Sequence, residues 1–185
     1  MGTEAGQQTP SDAASATALG VVIEIPAPLE DSLRSWRQRY GGEKSALIAP
    51  HITLVSGYTT DWAAAVKHVH RVAAEASRFT VHLHGTGTFR PINPVVYLNV
   101  KEGAEVCEGL HAALVAGPIE HEVSYGYHPH LTIAHEVDEA AMDLAQEELS
   151  DESLSFTVDS IGLFGLDASG AWALREELGL GGPAN

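Results

Sequence analysis

Pro50-His51-Ile52-Thr53-Leu54 and Pro129-His130-Leu131-Thr132-Ile133 carry one pattern, Pro-His-apolar-Thr-apolar, with His130 following His51 by 79 residues. Side chains alternate faces along a strand. In each copy the imidazole and the hydroxyl therefore point one way and the two apolar side chains the other. The apolar pair is expected to hold each strand on the helices of its own lobe, leaving the polar pair to face outward. An amphipathic helical pattern follows each copy: Trp62, Val66, Val69 and Ala73 after the first, Val137, Ala141, Leu144 and Ala145 after the second. A strand–helix unit used twice suggests two lobes related by a pseudo-twofold axis. If the lobes face each other, two imidazoles and two hydroxyls line one groove.

Outward from the repeat, the chain reads as an alternation of short strands and helices. Val21 to Ile25 is a β-branched run that ends at Pro26, a strand. Leu29, Leu33, Trp36 and Tyr40 stripe a helix that Gly41-Gly42 is expected to stop, and Thr59-Thr60-Asp61 can cap the next one. Phe79 to His84 and Val95 to Val100 read as strands separated by a Gly85-Thr86-Gly87-Thr88 loop. Val106, Leu110, Ala113 and Leu114 stripe a third helix, closed by Gly117-Pro118. Leu154 to Val158 alternates as a strand, and Asp167 to Gly170 is the turn of a final hairpin. The tally is about four helices and seven or eight short strands. Short loops between adjacent strands force antiparallel neighbours, so the expected class is α+β with mainly antiparallel sheets around a central groove and helices outside. Residues 1–18 read as a disordered tail, 19–180 as one bilobal domain and 181–185 as a loose end.

The chain has 185 residues and a formal charge of −15. That field repels long polyanions, so duplex nucleic acid is not an expected partner, while a local pocket for one phosphate is allowed. The single cysteine, Cys107, forms no internal disulfide and reads as a small core residue. The start lacks the basic and apolar regions of a signal peptide, and Glu24, Pro26 and Gly117 break the apolar stretches. A cytoplasmic monomer without a membrane partner is the expectation.

Two imidazoles across a groove can serve as general base and general acid, since their ordinary pKa of about 6.5 suits both roles near neutrality. Two Thr hydroxyls can donate to the non-bridging oxygens on which charge grows when a phosphate is attacked. In-line displacement at phosphorus needs proton transfers on opposite sides, which a twofold pair of His-x-Thr strands supplies. The set suits acyl transfer poorly, because no Ser or Cys nucleophile accompanies it.

The sequence resembles the 2H phosphoesterase superfamily, and within it the bacterial 2′-5′ RNA ligase-like group of RNA 2′,3′-cyclic phosphodiesterases. The resemblance is carried by His51-Ile52-Thr53-Leu54 and by Tyr127-His128-Pro129-His130-Leu131-Thr132-Ile133. Gly85 to Phe89 leading into Val95 to Leu98, and Leu163 to Asp167 with Gly170-Ala171-Trp172, add to it. It covers roughly Gly20 to Leu180. It implies two antiparallel lobes with both motifs on the groove floor, and metal-independent chemistry at 2′,3′-cyclic phosphates or 2′-5′ linkages. Carried over position by position, it implies His51 and His130 as catalytic groups and Thr53 and Thr132 as phosphate-binding groups, with no cofactor and a small nucleotide or RNA end as substrate.

The remaining candidates divide between contact and structure. Tyr127 and Tyr58 flank the motifs and can stack on a base or sugar, although a packed aromatic rim fits equally well, and His128 reads as a groove-rim substrate contact or a surface residue. Arg90 can fork onto phosphate oxygens, against the commoner reading of a solvated loop arginine. No Cys, Asp or Glu stands at ligand spacing beside His128 and His130, so no metal site is expected. His82 and His84 read as a solvated strand edge, His68 and His70 as exposed on their helix, His135 as structural, and His111 and His121 carry no signal. Two functions remain open: a phosphodiesterase, and a module that binds a nucleotide or phosphate in the same groove without turnover. The intact pair of motifs favours the enzyme.

Overall fold

The structure, a computed structural model, describes residues 16–122 and 125–181, without the side chains of 44 and 46. The elements run β1 (Thr17–Glu24), α1 (Ala27–Leu47), β2 (His51–Thr59), α2 (Trp62–Glu75), β3 (Phe79–Thr88) and β4 (Val95–Glu102). Then come α3 (Ala104–Val115), β5 (His130–His135), α4 (Glu139–Glu148), β6 (Ser153–Val158), β7 (Ser160–Leu166) and β8 (Trp172–Gly179). The eight strands form one curled antiparallel sheet in the order β6-β3-β4-β5-β2-β1-β7-β8. The class is α+β, as expected.

The repeat organises the sheet. β2 and β5, the two motif strands, lie side by side at its centre, and each leads outward through three further strands. They meet at the pair Ile52–Leu131, the apolar residue in the middle of each motif. β1-α1-β2-α2 and β4-α3-β5-α4 are the equivalent units. Each unit sends its next long strand to the far half: β3 pairs with β4, and β7 pairs with β1.

The helices cross over too. α1 packs on β5 and α3 on β2, so each motif strand rests on the helix of the other unit, not on that of its own lobe. Ile52, Leu54, Leu131 and Ile133 are fully buried there, within one core that spans both halves. Burying these four side chains contributes about 1.5–3 kcal/mol each, so the halves are welded by the core more than by their short ladder.

Several local expectations change. α1 does not end at Gly41-Gly42: Gly42 breaks the helix at φ 74°, and the chain resumes helix to Leu47. Gly41 lets α1 lie against β5, because a Cβ there would stand 2.8 Å from the Ile133 carbonyl oxygen. The expected loop at Gly85 to Thr88 is the end of β3, paired with β4 across an irregular register. β3 is also no edge, since it lies between β4 and β6.

β1 begins at Thr17, paired with Thr59, so order starts before the expected boundary at residue 18. At the other end the Leu180 amide donates to the Asp159 carbonyl at 2.7 Å and Gly181 to Ala73 at 3.2 Å, which ties down what was expected to be loose. The remainder of both expected tails, 1–15 and 182–185, lies outside the described residues. Asp61 caps α2 by accepting from the Ala64 amide at 2.9 Å. Val106 and Leu144, expected on buried stripes, are largely exposed. No described helix is long and apolar enough to cross a membrane.

Candidate active site

The groove floor follows from one register. With Ile52 opposite Leu131 in antiparallel strands, His51 stands beside Thr132 and Thr53 beside His130. The two imidazoles are then diagonal neighbours, about 7–8 Å apart at the backbone. All four polar residues are half-buried, while the intervening apolar ones are sealed beneath them. The alternation read from the sequence is thus what separates the chemistry from the core.

Both rings are oriented by the same backbone device. His51 Nδ1 donates to the Ala49 carbonyl at 2.8 Å, and His130 Nδ1 donates to the His128 carbonyl at 2.7 Å. A carbonyl can only accept, so Nδ1 carries the hydrogen in both rings. The neutral form then has its lone pair on Nε2, and the protonated form has Nε2–H. The proline between acceptor and histidine, Pro50 or Pro129, biases the preceding residue to an extended conformation and so places that carbonyl. The sequence held this signal in the repeated Pro-His, where it reads only as the entry to a strand.

Burial lowers the pKa of both rings. At His51 the hydrogen bond to Ala49 opposes that shift and the nearby Arg37 guanidinium adds to it. At His130 the bond to His128 opposes it, and the His128 and His51 rings add to it. Arg37 is 5% exposed, its Nη1 reaches the Ala49 carbonyl at 3.5 Å, and its Nε has no hydrogen-bond partner among the described residues. The carbonyl that orients His51 thus has a buried cation behind it. Nothing in the apolar spacing of α1 marks Arg37 for this place.

The two flanks differ. His130 is enclosed by rings: Phe89 edge-on at 4.9 Å, Tyr97 tilted at 5.1 Å and His128 stacked at 6.4 Å. Gly87 makes room for this, since a Cβ there would stand 2.6 Å from the Tyr97 ring. His51 instead borders a cavity of about 560 Å³, lined by Val22, Ile48, Phe164 and Trp172 among others, with Glu24 opposite His51 across β1 and β2.

The other expected contacts separate. His128 reaches the site, its ring 5.4 Å from Tyr97 and 6.4 Å from His130, and it supplies the carbonyl that orients His130. Tyr127 turns its hydroxyl to the Thr53 carbonyl at 2.9 Å and stacks on His111 at 4.1 Å. Burial pushes that hydroxyl far above the ordinary phenol range. Tyr127 therefore supports β2 from beneath. Arg90 pairs with Asp143 at 2.9 Å and Glu139 at 3.5 Å and bonds Gln146, which ties its guanidinium to α4.

Two histidines that carried no signal have structural work. β2 parts from β5 beyond Ile52, and its carbonyls need other donors. His111 Nδ1 reaches the Leu54 carbonyl and His121 Nδ1 the Ser56 carbonyl, each at 2.7 Å. His68, expected to be exposed, is buried, with Nε2 2.9 Å from the Ala113 carbonyl in a space that only a glycine at 117 leaves open. Cys107 is fully buried and its thiol is pushed up to about 12. Among the described residues no three His, Cys, Asp or Glu side chains gather as a metal site.

Residues 25–170 match the model of the 2′-5′ RNA ligase superfamily. The chain belongs to that superfamily, the 2H phosphoesterases. A Bacillus thuringiensis protein named "Putative phosphoesterase" is 30% identical over 168 residues, which cover 88% of this chain and 96% of that one. Among solved structures, Escherichia coli LigT complexed with 3′-AMP superposes with a TM-score of 0.66 at 18% identity, covering 90% of this chain and 99% of LigT. TT0787 of Thermus thermophilus gives 0.62 at 17%, covering 90% of this chain and all of that one. At those identities the structures share the fold of this phosphoesterase.

Proposed function

We propose that this phosphoesterase is a metal-independent phosphodiesterase acting on a 2′,3′-cyclic phosphate or a 2′-5′ phosphodiester of a nucleotide or RNA end. The observation that carries the reading is the Ile52–Leu131 pairing, which sets two Nδ1-tethered imidazoles diagonally across two threonines. LigT, which shares the fold, has been crystallised with 3′-AMP, a nucleoside bearing a phosphate on its ribose, and this supports a nucleotide as ligand.

In the reaction a water oxygen attacks phosphorus while one Nε2 lone pair takes its proton. The bond from phosphorus to one ribose oxygen breaks, and Nε2–H of the other ring gives that oxygen its proton. Thr53 and Thr132 hydroxyls donate to the non-bridging oxygens as charge builds there. The histidines exchange protonation states and recover through solvent. In the reverse sequence the ribose hydroxyl attacks the phosphate monoester, water leaves, and the two histidines swap roles. A ribose hydroxyl of a second nucleotide in place of the attacking water would instead join it to the cyclic phosphate in the forward direction.

The test is turnover of 2′,3′-cyclic mononucleotides, oligonucleotides ending in a 2′,3′-cyclic phosphate, and 2′-5′ dinucleotides, with and without EDTA, identifying the product isomer. Hydrolysis insensitive to EDTA is expected. Binding of all three classes without turnover would replace the enzyme by a binding module, and loss with EDTA restored by a divalent ion would overturn the mechanism.

A further inference from the structure

We propose that the cavity beside His51 is a nucleobase subsite, and that Glu24 makes it prefer bases with an exocyclic amine. The inference rests on the phosphodiesterase reading above and names the substrate class of that site. The cavity is continuous with the catalytic floor, since His51 and Thr53 line one end of it. Its size, about 560 Å³, falls in the ordinary range for small-ligand sites. A phosphate held between the two histidines therefore has room for its nucleoside on this flank, whereas rings fill the His130 flank.

The walls suit a flat, apolar ring. Trp172 is 50% exposed, and its six-membered ring lies over Gly20, where an added Cβ would stand 3.7 Å from Cζ3. Phe164 lies beside it on β7, and Ile48, 57% exposed, faces the cavity from the segment that follows α1. Large apolar side chains left open beside a phosphate site match the stacking platforms that proteins offer to bases. The aromatic wall is complemented by one carboxylate. A Cβ at Gly162 would stand 3.2 Å from Glu24 Oε2 and 2.8 Å from Phe164 Cε2, so the carboxylate sits at the edge of the aromatic wall.

A carboxylate can only accept hydrogen bonds when ionised. A base stacked on Phe164 and Trp172 presents its edge to that acceptor. The amine of cytosine donates there, as cytosine does to carboxylates in nucleic-acid recognition, while uracil offers a carbonyl oxygen at the same place. Burial, and then Glu177 and Glu30, push the Glu24 carboxyl up, so a facing N–H relieves a penalty already present in the free protein.

The experiment compares kcat/KM for cytidine and uridine 2′,3′-cyclic phosphates and for a base-free cyclic diester such as propanediol cyclic phosphate. The wild-type protein should favour cytidine over uridine by about tenfold, the scale of one hydrogen bond to a charged group. Glu24→Gln should erase that preference. Trp172→Ala should lower the ratio of cytidine to base-free activity by about tenfold, the scale of one stacked base. These are ratios within one variant, so a partly misfolded sample does not imitate them. Unchanged ratios in both variants would overturn the subsite. If no cyclic phosphate is turned over, tryptophan fluorescence is titrated with cytidine 2′,3′-cyclic phosphate. Quenching that Trp172→Phe abolishes would support the subsite while ending the reading of cyclic phosphates as substrates, and no quenching would end the subsite.

Discussion

The half of the sheet that carries His51 and the half that carries His130 share a floor and differ in their walls. Both build the floor from the same five-residue pattern, the same proline-placed carbonyl and the same buried apolar pair. Around His130 the wall is Phe89, Tyr97 and His128, which fill the space beside the ring. Around His51 it is an open apolar cavity with Glu24 at the rim and Arg37 behind. The repeat thus supplies what a symmetric reaction at phosphorus requires, and the flanks supply what an asymmetric substrate requires. A phosphodiester has one reacting phosphorus with unlike groups on its two sides, so a twofold floor under unlike walls is matched to it.

If the floor acts as one unit, the largest effects come from breaking either half. His51→Ala and His130→Ala should each lower kcat by about 10²–10⁴-fold, the usual loss of a general acid or base. The double variant should be scarcely worse than either single one, because groups that act in one step are strongly non-additive. Multiplying losses would show two independent contributions and dissolve the pairing. Next in size, Thr53→Ala and Thr132→Ala should each cost up to about 10²–10³-fold in kcat, by analogy with the removal of one oxyanion donor. Losses confined to KM would make the threonines ground-state contacts instead. A large inequality between the two would mean that the phosphate leans toward one half.

The sequence made the floor legible and the walls obscure, for a physical reason. Strand alternation is local, so His51, Thr53, His130 and Thr132 could be assigned a common face from their spacing alone. The walls depend on which distant elements meet. Phe89 and Tyr97 reach His130 only because β4 lies beside β5, and Trp172 reaches Gly20 only because β8 follows β7 outside β1. The assumption that each motif strand sits on its own helix failed similarly, since exchange of helices between units leaves no local trace. His68 and His111 looked exposed or uninformative because a histidine off an apolar stripe is usually solvated. Here both satisfy backbone carbonyls, at the end of α3 and along the open side of β2. Arg90 looked available because its partners lie 53 and 56 positions away on α4.

A smaller effect tests the support under the His51 half. Tyr127 donates to the Thr53 carbonyl where β2 has parted from β5. Tyr127→Phe keeps the stacking on His111 and removes that donor. Leaving a buried carbonyl without a partner costs about 1–3 kcal/mol. For a chain of this size that lowers Tm by about 2–4 °C per kcal/mol. His130 lies in the other half, so its pKa should hold. A fall in Tm without a shift in the His130 titration, followed by NMR, is the expected outcome. A variant as stable as the wild type would mean that another donor reaches Thr53.

The finest test separates the two imidazoles by the charge behind one of them. Arg37 lies near His51, whereas no guanidinium is among the influences that shift His130. The groups around His51 are Arg37 from α1, Glu24 across β1 and His130 across β5. A positive charge disfavours protonating a neighbour, so Arg37 holds the His51 pKa down. Arg37→Gln should raise it, and Arg37→Lys, which keeps the charge, should change it less. The direction in the pH–rate curve is fixed by the role. If His51 is the base, it must be neutral, and the acid limb of kcat/KM moves to higher pH. If His51 is the acid, it must be protonated, and the alkaline limb moves to higher pH instead. The limb that moves therefore assigns the roles that the symmetry of the floor conceals. Loss of activity with both limbs in place would show that Arg37 acts on the position of the Ala49 carbonyl and not on the charge of His51.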